Sequence, residues 1–495
     1  MKVRNYILIL ALGLFGCSDF LEESSQDEIR PSTLTDLEQI LLGEAYMDQY
    51  NIYNLTDIFT DNVSCYGIWA ETQKVTFESR MWLYRWDDNM FASSGGGDNS
   101  NFWKVPYYGI GACNVVLDHL DKMYGDASLR ESLRGEALVL RACYYFHLVN
   151  FFGFPYNHGD PKVNLGVPLK LNSSVRDEHF ARNSVAEVYT QIEKDLLEGN
   201  RLLRENDFHR NYFRIGHLAA KALLSRVYLY MEDWDKALAY ADSVLQAKPD
   251  LLDLNRFGVP DIFRSNSFVT VYSPNTSDEI IWAREYHATH VFNADGSWNK
   301  FPFSLSQDFL EVLGSSYEAC VNKTIRDLRG AYFVSWGDDR NNYLQHRYQI
   351  AAVKDKWWGK YQGIRTAEMY LNRAEACARK YQKEGTVRYL ELALEDLNAL
   401  RRHRLNNAYE FEPIGITDAG LLIHFILDER RRELSGETNH RWFDLRRNGM
   451  PTLSHPFFMN QSDEKVEYKL STNGYLIPIP EKAIRLNPKL EQNKR

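Results

Sequence analysis

The chain has 495 residues, 44% of them hydrophobic and 25% charged, which is ample apolar content for a large buried core. A formal net charge of −9 speaks against a nucleic-acid protein, because phosphate binding needs a clustered basic surface. Aromatics reach 14%, with 30 Tyr, 26 Phe and 11 Trp, and such residues fill cores but also make flat binding platforms.

Lys2 and Arg4 precede an apolar run from Tyr6 to Phe15 that overlaps Leu14-Phe15-Gly16-Cys17. A basic start, a short apolar stretch and a small residue at the cut describe a secretory signal. The run is too short to span a bilayer as a helix, which takes about 20 residues. Leucine at minus three, glycine at minus one and then cysteine is the pattern that lipoprotein signal peptidases cut. Residues 1–16 are therefore expected to be a signal peptide. Cys17 becomes the mature N-terminus and carries a lipid that holds a globular body on a membrane surface. Residues 17–30 are acidic and polar and read as a solvated tether. Beyond Cys17 stand Cys65, Cys113, Cys143, Cys320 and Cys377, an odd set with no pair two or three residues apart. That spacing favours neither a metal site nor a dense disulfide frame. Cys143 and Cys377 fall within helical patterns and read as small buried hydrophobes.

Residues 31–495 read as one mainly helical domain. Thr33 to Met47 carries Leu34, Leu37 and Leu41 at helical spacing. Residues 51–101 are rich in aromatics and short polar residues and read as irregular, with a loop at Ser93 to Asp98. Asn101 to Met123 returns to helix. Leu133 to Phe152 is a strong helix, with Leu138, Ala142, Tyr145, Val149 and Phe152 on one stripe and Gly153 and Pro155 at its end. Ser184-Val185-Ala186-Glu187 is a capping box that opens the next helix.

Leu218 to Leu251 can be laid on the tetratricopeptide pattern of about 34 residues. Leu224, Tyr228, Ala237 and Pro249 take its marked positions, and Asp233 caps the second helix. A similar helix pair runs from Arg365 to Arg404. Helical repeat elements thus occupy about 103–251 and 365–434. A second irregular region, about 253–361, lies between them, with short strands predicted at Val269 to Tyr272 and Glu279 to Arg284. Thr417 to Leu434 is predicted as a helix ending in Asp428-Glu429-Arg430-Arg431-Arg432-Glu433. His440 to Arg447 follows, and Ile477-Pro478-Ile479-Pro480 reads as an extended segment near the end.

This last region resembles the SusD/RagB family of surface lipoproteins. The family's pattern of E-R-R-x-E, H-R-W-x-D-L-R-R, P-I-P and N-P-x-L-x-Q-N is met by Glu429 to Glu433, His440 to Arg447, Pro478 to Pro480 and Asn487 to Asn493. Arg365-Thr366-Ala367-Glu368 through Ala374-Glu375-Ala376 is similar to the family's R-x-A-E helix. Arg141-Ala142 through Phe146, then Gly153 and Pro155, is similar to its R-A-x-x-x-F helix and stop. The acidic run after Cys17 also resembles the tag that sends such lipoproteins to the outer face of the outer membrane. The resemblance implies a SusD-like fold, with tetratricopeptide-like helix pairs packed against an irregular, loop-rich lobe carrying a few short strands. It implies a non-enzymatic protein that captures oligosaccharides, or peptides in the RagB branch, and hands them to a partner SusC-like TonB-dependent transporter. No cofactor is implied. A plain protein-interaction scaffold is the competing class, since helical repeats usually bind proteins.

A sugar ring offers a C–H face and a rim of hydroxyls, so a receptor needs an exposed flat aromatic with carboxylates, amides or Arg nearby. Candidates are the loop tryptophans Trp298, Trp336, Trp82, Trp86 and Trp69. Trp298 leads, because Asn293, Asp295, Gly296 and Asn299 surround it. Tyr332 and Asp338 are further candidates. Trp103, Trp234 and Trp442 lie in helices or family motifs and read as packing. The alternating charges of Glu429 to Glu433 and His440 to Arg447 read as intrachain ion pairs at helical spacing. For catalysis, a glycosidase needs two carboxylates about 5–9.5 Å apart. Glu368 and Glu375 share a helix face, but seven residues rise about 10 Å. Neither G-x-S-x-G nor H-E-x-x-H occurs. Asn293-Ala294-Asp295-Gly296 begins like a calcium loop but lacks the remaining ligands.

Overall fold

Helix starts are written into the sequence as polar residues ahead of apolar stripes, and the computed structural model of the chain follows them. It describes residues 31–46, 54–65, 80–88, 90–91, 101–175, 178–206, 211–260, 271–272, 277–285, 303–337, 350–353, 361–437, 439–458 and 465–495. The first half contains α1 (Leu34–Ile40), β1 (Val63–Cys65), α2 (Asn101–His119), α3 (Ala127–Phe152), α4 (Val185–Glu205), α5 (His217–Tyr230) and α6 (Trp234–Ala247). The middle holds β2 (Ile280–Glu285), β3 (Phe303–Leu305), α7 (Gln307–Leu313), α8 (Tyr317–Val321), α9 (Arg329–Tyr332), β4 (Val334–Gly337), β5 (Ile350–Val353) and β6 (Tyr361–Arg365). Then come α10 (Thr366–Glu384), α11 (Val387–Arg402), α12 (Ala419–Glu433), α13 (His440–Arg447), β7 (Leu453–Phe458), β8 (Lys465–Leu470) and α14 (Glu481–Leu486). Among the described residues no helix is long and apolar enough to cross a membrane.

The capping box at Ser184 is formed. Ser184 Oγ accepts from the Glu187 N–H, and the Glu187 carboxylate accepts from the Ser184 N–H at 2.7 Å. Helices α2 to α6 pack in sequence order, each on the next. At the crossing of α3 and α4 two glycines meet. A Cβ on Gly199 would lie 2.5 Å from Val139 Cγ2, and one on Gly135 would lie 2.8 Å from Leu203 Cγ, so the close approach requires both. In the predicted tetratricopeptide pair, Asp233 accepts from the Lys236 N–H and Ser225 Oγ donates to the Ala237 carbonyl at 3.0 Å. Helix α10 then packs on α6, although a long stretch of chain separates them. Arg226 of α5 donates twice to Glu368 of α10 at 2.6 Å, and Asn372 donates to Ser225 Oγ. With α11 and α12 resting on α10 and on each other's apolar faces, the array is continuous in space.

The lobe is built from small pieces. One sheet has the order β3-β1-β7-β8, with β1 antiparallel to β3 and parallel to β7. Two further two-stranded pairs, β2–β6 and β4–β5, are antiparallel. The prediction at Glu279 to Arg284 is met by β2. Of the strand predicted at Val269 to Tyr272, Val271 and Tyr272 lie in a turn, with the Tyr272 hydroxyl donating to Glu437 at 2.8 Å, and residues 269–270 lie outside the described residues. Ile479, in the Pro-Ile-Pro segment, has no strand partner among the described residues; instead Gln492 receives its N–H and donates to its carbonyl, both at 2.8 Å.

Between array and lobe sits a buried ion network. Glu433 accepts from Arg404 at 3.0 Å, from Arg329 at 3.0 Å and from Arg365. Glu279 pairs with Arg365 at 2.9 Å and with Arg404. Glu429 meets Arg329 at 2.8 Å and Arg401 at 3.0 Å. The arginines Arg329, Arg365 and Arg404 and all three glutamates are buried. Burial alone would push the Glu429 carboxyl up; Arg329, Arg432 and Arg401 override it and hold it at about 2. The expectation of pairs at helical spacing is met by Arg432–Glu429 and Arg447–Asp444. The heavier contacts of this stretch nonetheless reach residues distant in sequence.

Candidate ligand-binding site

Five of the predicted binding residues, Trp298, Asn293, Asp295, Trp69 and Asp338, lie outside the described residues, as does Cys17. Trp336 falls on β4, paired in register with Ala351 of β5. Trp86 and Tyr332 do not offer a platform. Trp86 is 6% exposed, its Nε1 donates to the Phe59 carbonyl at 2.9 Å, and the His455 ring stacks on it at 3.9 Å. Tyr332 is 3% exposed and its hydroxyl donates to the Gly258 carbonyl at 2.6 Å. Both rings are consumed by packing, and the hydrogen bond that a ligand would use is already made.

Trp82 differs. It precedes Trp86 by one helical turn and is half-buried against the core. The Arg85 guanidinium carbon stands 5.0 Å from the centre of its ring and 5.9 Å from that of Tyr468 on β8. Arg85 is tied to Asp87 at 3.0 Å, and the two side chains are 31% and 28% exposed. The β7–β8 register sets Tyr468 opposite His455, which itself stacks on both Tyr84 and Trp86. A rigid aromatic floor thus lies beneath a partly exposed cluster of Trp82, Arg85, Asp87 and Tyr468. The cluster joins two aromatic rings with one donor fork and one carboxylate. Rings of this kind contact apolar C–H faces, and the ionic pair can address hydroxyls. Arg85, Asp87 and Tyr468 are absent from the sequence-based candidates. Arg85 could have been found from its spacing to Trp82, about one turn along, whereas Asp87 lies past the end of that helix and Tyr468 comes from a strand far along the chain.

The carboxylates considered for catalysis are fully engaged. Glu368 is bound by Arg226; burial pushes its carboxyl up, but the arginine brings it down to about 2. Glu375 is held by both terminal nitrogens of Arg447 and kept below its usual range. A carboxylate locked in such a pair holds no proton to give. His440 lies 4.0 Å from Glu368, and burial depresses its pKa to about 4. Cys65, Cys113, Cys143, Cys320 and Cys377 are all buried. Among the described residues no cluster of His, Cys, Asp or Glu is arranged to hold a metal ion.

Comparison with known proteins places this architecture. Residues 19–229 match the profile of a SusD-like family described as starch-binding associating with outer membrane, and residues 331–495 match that of the SusD family. SusD-like protein P2 of Formosa agariphila is 24% identical, with 99% of each chain covered. A SusD superfamily protein from Bacteroides thetaiotaomicron superposes with a TM-score of 0.67 at 23% identity, covering 94% of this chain and 100% of its own. A SusD-like carbohydrate binding protein from Bacteroides vulgatus gives a TM-score of 0.66 at 22% identity, covering 93% and 98%. With residues 19–229 and 331–495 matched by profiles, almost the whole length aligned to a relative and the fold shared, the chain belongs to the SusD/RagB family.

Proposed function

We propose that this protein is a lipid-anchored receptor that captures oligosaccharides outside the cell and passes them, uncleaved, to a SusC-like TonB-dependent transporter in the outer membrane. The observation that carries this reading is the match over residues 19–229 to a family described by starch binding and outer-membrane association. The Leu14-Phe15-Gly16-Cys17 motif supports attachment through Cys17. The partly exposed cluster of Trp82, Arg85, Asp87 and Tyr468 supports sugar as the ligand, because it pairs flat apolar faces with hydroxyl-directed groups. Trp298, with Asn293 and Asp295 near it in sequence, remains part of the proposed site, as do Trp69, Trp336 and Asp338.

The test is a binding screen of the purified chain against plant, host and microbial glycans, with Trp82→Ala and Trp298→Ala alongside. One stacked aromatic contributes about 1 kcal/mol, so either variant is expected to weaken binding to the recognised glycan by about fivefold to tenfold. Silence toward every glycan with binding to peptides would replace sugar by peptide as the ligand. Release of reducing ends from a bound glycan would overturn capture without cleavage.

A further inference from the structure

On the helical half, remote in sequence from Trp82, a cleft of about 360 Å³ opens where the end of α4, residues 211–216, the first turn of α5, the end of α6 and the start of β2 meet. Gly216 is the N-cap residue of α5 and supplies no side-chain cap. Its φ of −115° and ψ of 179° suit any residue, and a Cβ there would meet nothing within 4 Å. Neither conformation nor space calls for glycine. The first N–H groups of a helix have no partner inside the helix and carry its positive end. The Ala220 N–H is taken by the Gly216 carbonyl, whereas those of Leu218 and Ala219 have no acceptor among the described residues. Both residues line the cleft.

A second, independent feature faces the same space. Ser132 of α3 lines the cleft, is 1% exposed, and its Oγ has no hydrogen-bond partner among the described residues. A buried hydroxyl left unsatisfied is costly, and a ligand accepting from it removes that cost. The charge of the lining is one-sided. Arg214 is neutralised by Glu136 at 2.7 Å and Glu38 at 2.9 Å, but no acid among the described residues pairs with Lys248, and no carboxylate lines the cleft. We propose that this cleft is an oxyanion site, in which the Leu218 and Ala219 N–H groups, Ser132 Oγ and Lys248 hold a carboxylate, sulfate or phosphate. The oxyanion is either a free ion or a substituent on a sugar. The site stands apart from the Trp82 cluster and does not depend on the reading of that cluster.

Isothermal titration of the full chain in low-salt buffer with inorganic sulfate, inorganic phosphate and glucuronate tests it. Saturable binding of at least one is expected. Gly216→Asp sets a capping carboxylate at the position of the anion; aspartate is a favoured N-cap, so the fold and melting temperature are kept while anion binding falls by about tenfold or more. Lys248→Gln is expected to weaken it about threefold. Binding of the inorganic ions would identify a free-ion site, and binding of glucuronate alone would identify an acidic sugar. Failure of all three to bind, or equal affinity in the parent and both variants, overturns the proposal.

Discussion

Where α3 crosses α4, Gly135 and Gly199 bring two backbones together, and the surrounding contacts are Val139 and Leu203. Where the array meets the lobe, the contact is Arg329, Arg365 and Arg404 against Glu279, Glu429 and Glu433, with almost no water reaching any of them. The first region is held by shape, and its pieces are near in sequence. The second is held by charges whose partners are scattered from 279 to 433. Shape tolerates a lost polar group but not an added atom. A buried charge network tolerates neither the loss of one member nor a change of protonation.

That contrast can be broken at several points. The largest effect is expected for Glu433→Ala, which leaves three buried arginines short of their common acceptor and should cost about 3–5 kcal/mol in urea unfolding. A loss too small to measure would show that Glu279 and Glu429 suffice. Acid comes next. Glu429 stands at about 2 in the fold against 4.5 for an unperturbed glutamate in the unfolded chain. Its contribution, on the order of 3 kcal/mol, is complete above about pH 4.5 and is lost as pH falls toward 2. His440 works higher: depressed from 6.5 to about 4, it contributes fully above pH 6.5 and loses that share as pH falls to about 4. Stability against pH should therefore fall in two steps; His455 and His147 are buried and depressed in the same way, so His440→Gln should shrink the upper step and leave the lower one, and an upper step of unchanged size would refute the share given to His440. Within the array, Gly199→Val is expected to cost about 1–3 kcal/mol by overpacking against Val139, with no change in the pH profile. The smallest effect is Ser184→Ala, about 1 kcal/mol from the lost cap of α4, read as a lower melting temperature.

The same contrast governs what could be read from the sequence. Ser184 with Glu187, Asp233 ahead of α6, and the stripe from Leu138 to Phe152 are local signals, and the structure realises each one. Apart from Arg432, one turn along the same helix, the partners of Glu429 and Glu433 are not legible, because helical spacing suggests neighbours on one helix whereas these arrive from β6, α9 and the end of α11. Trp86 looked like a loop platform for the same reason: the His455 ring that covers it stands far away in the sequence. Tyr468 carries no mark in the run Lys465 to Leu470 that would set it beside Trp82. For Trp298 and its polar neighbours, the sequence remains the basis of the proposal.

The chain leaves the array after α6 and rejoins it at α10, and these two points are neighbours. Leu251 packs against the cluster of Ala367, Leu371, Leu400 and Leu434, and the Tyr370 hydroxyl donates to the Pro249 carbonyl. The lobe segment between them is thus an insertion with closed ends. Its length can change at little expense, since each doubling of a closed loop costs only about 0.6 kcal/mol. A scaffold of this kind separates inheritance from invention: the frame, with the Glu279 and Arg329 that tie the segment to it, can be copied unchanged while the loops between those anchors are lengthened, trimmed or replaced to suit another ligand.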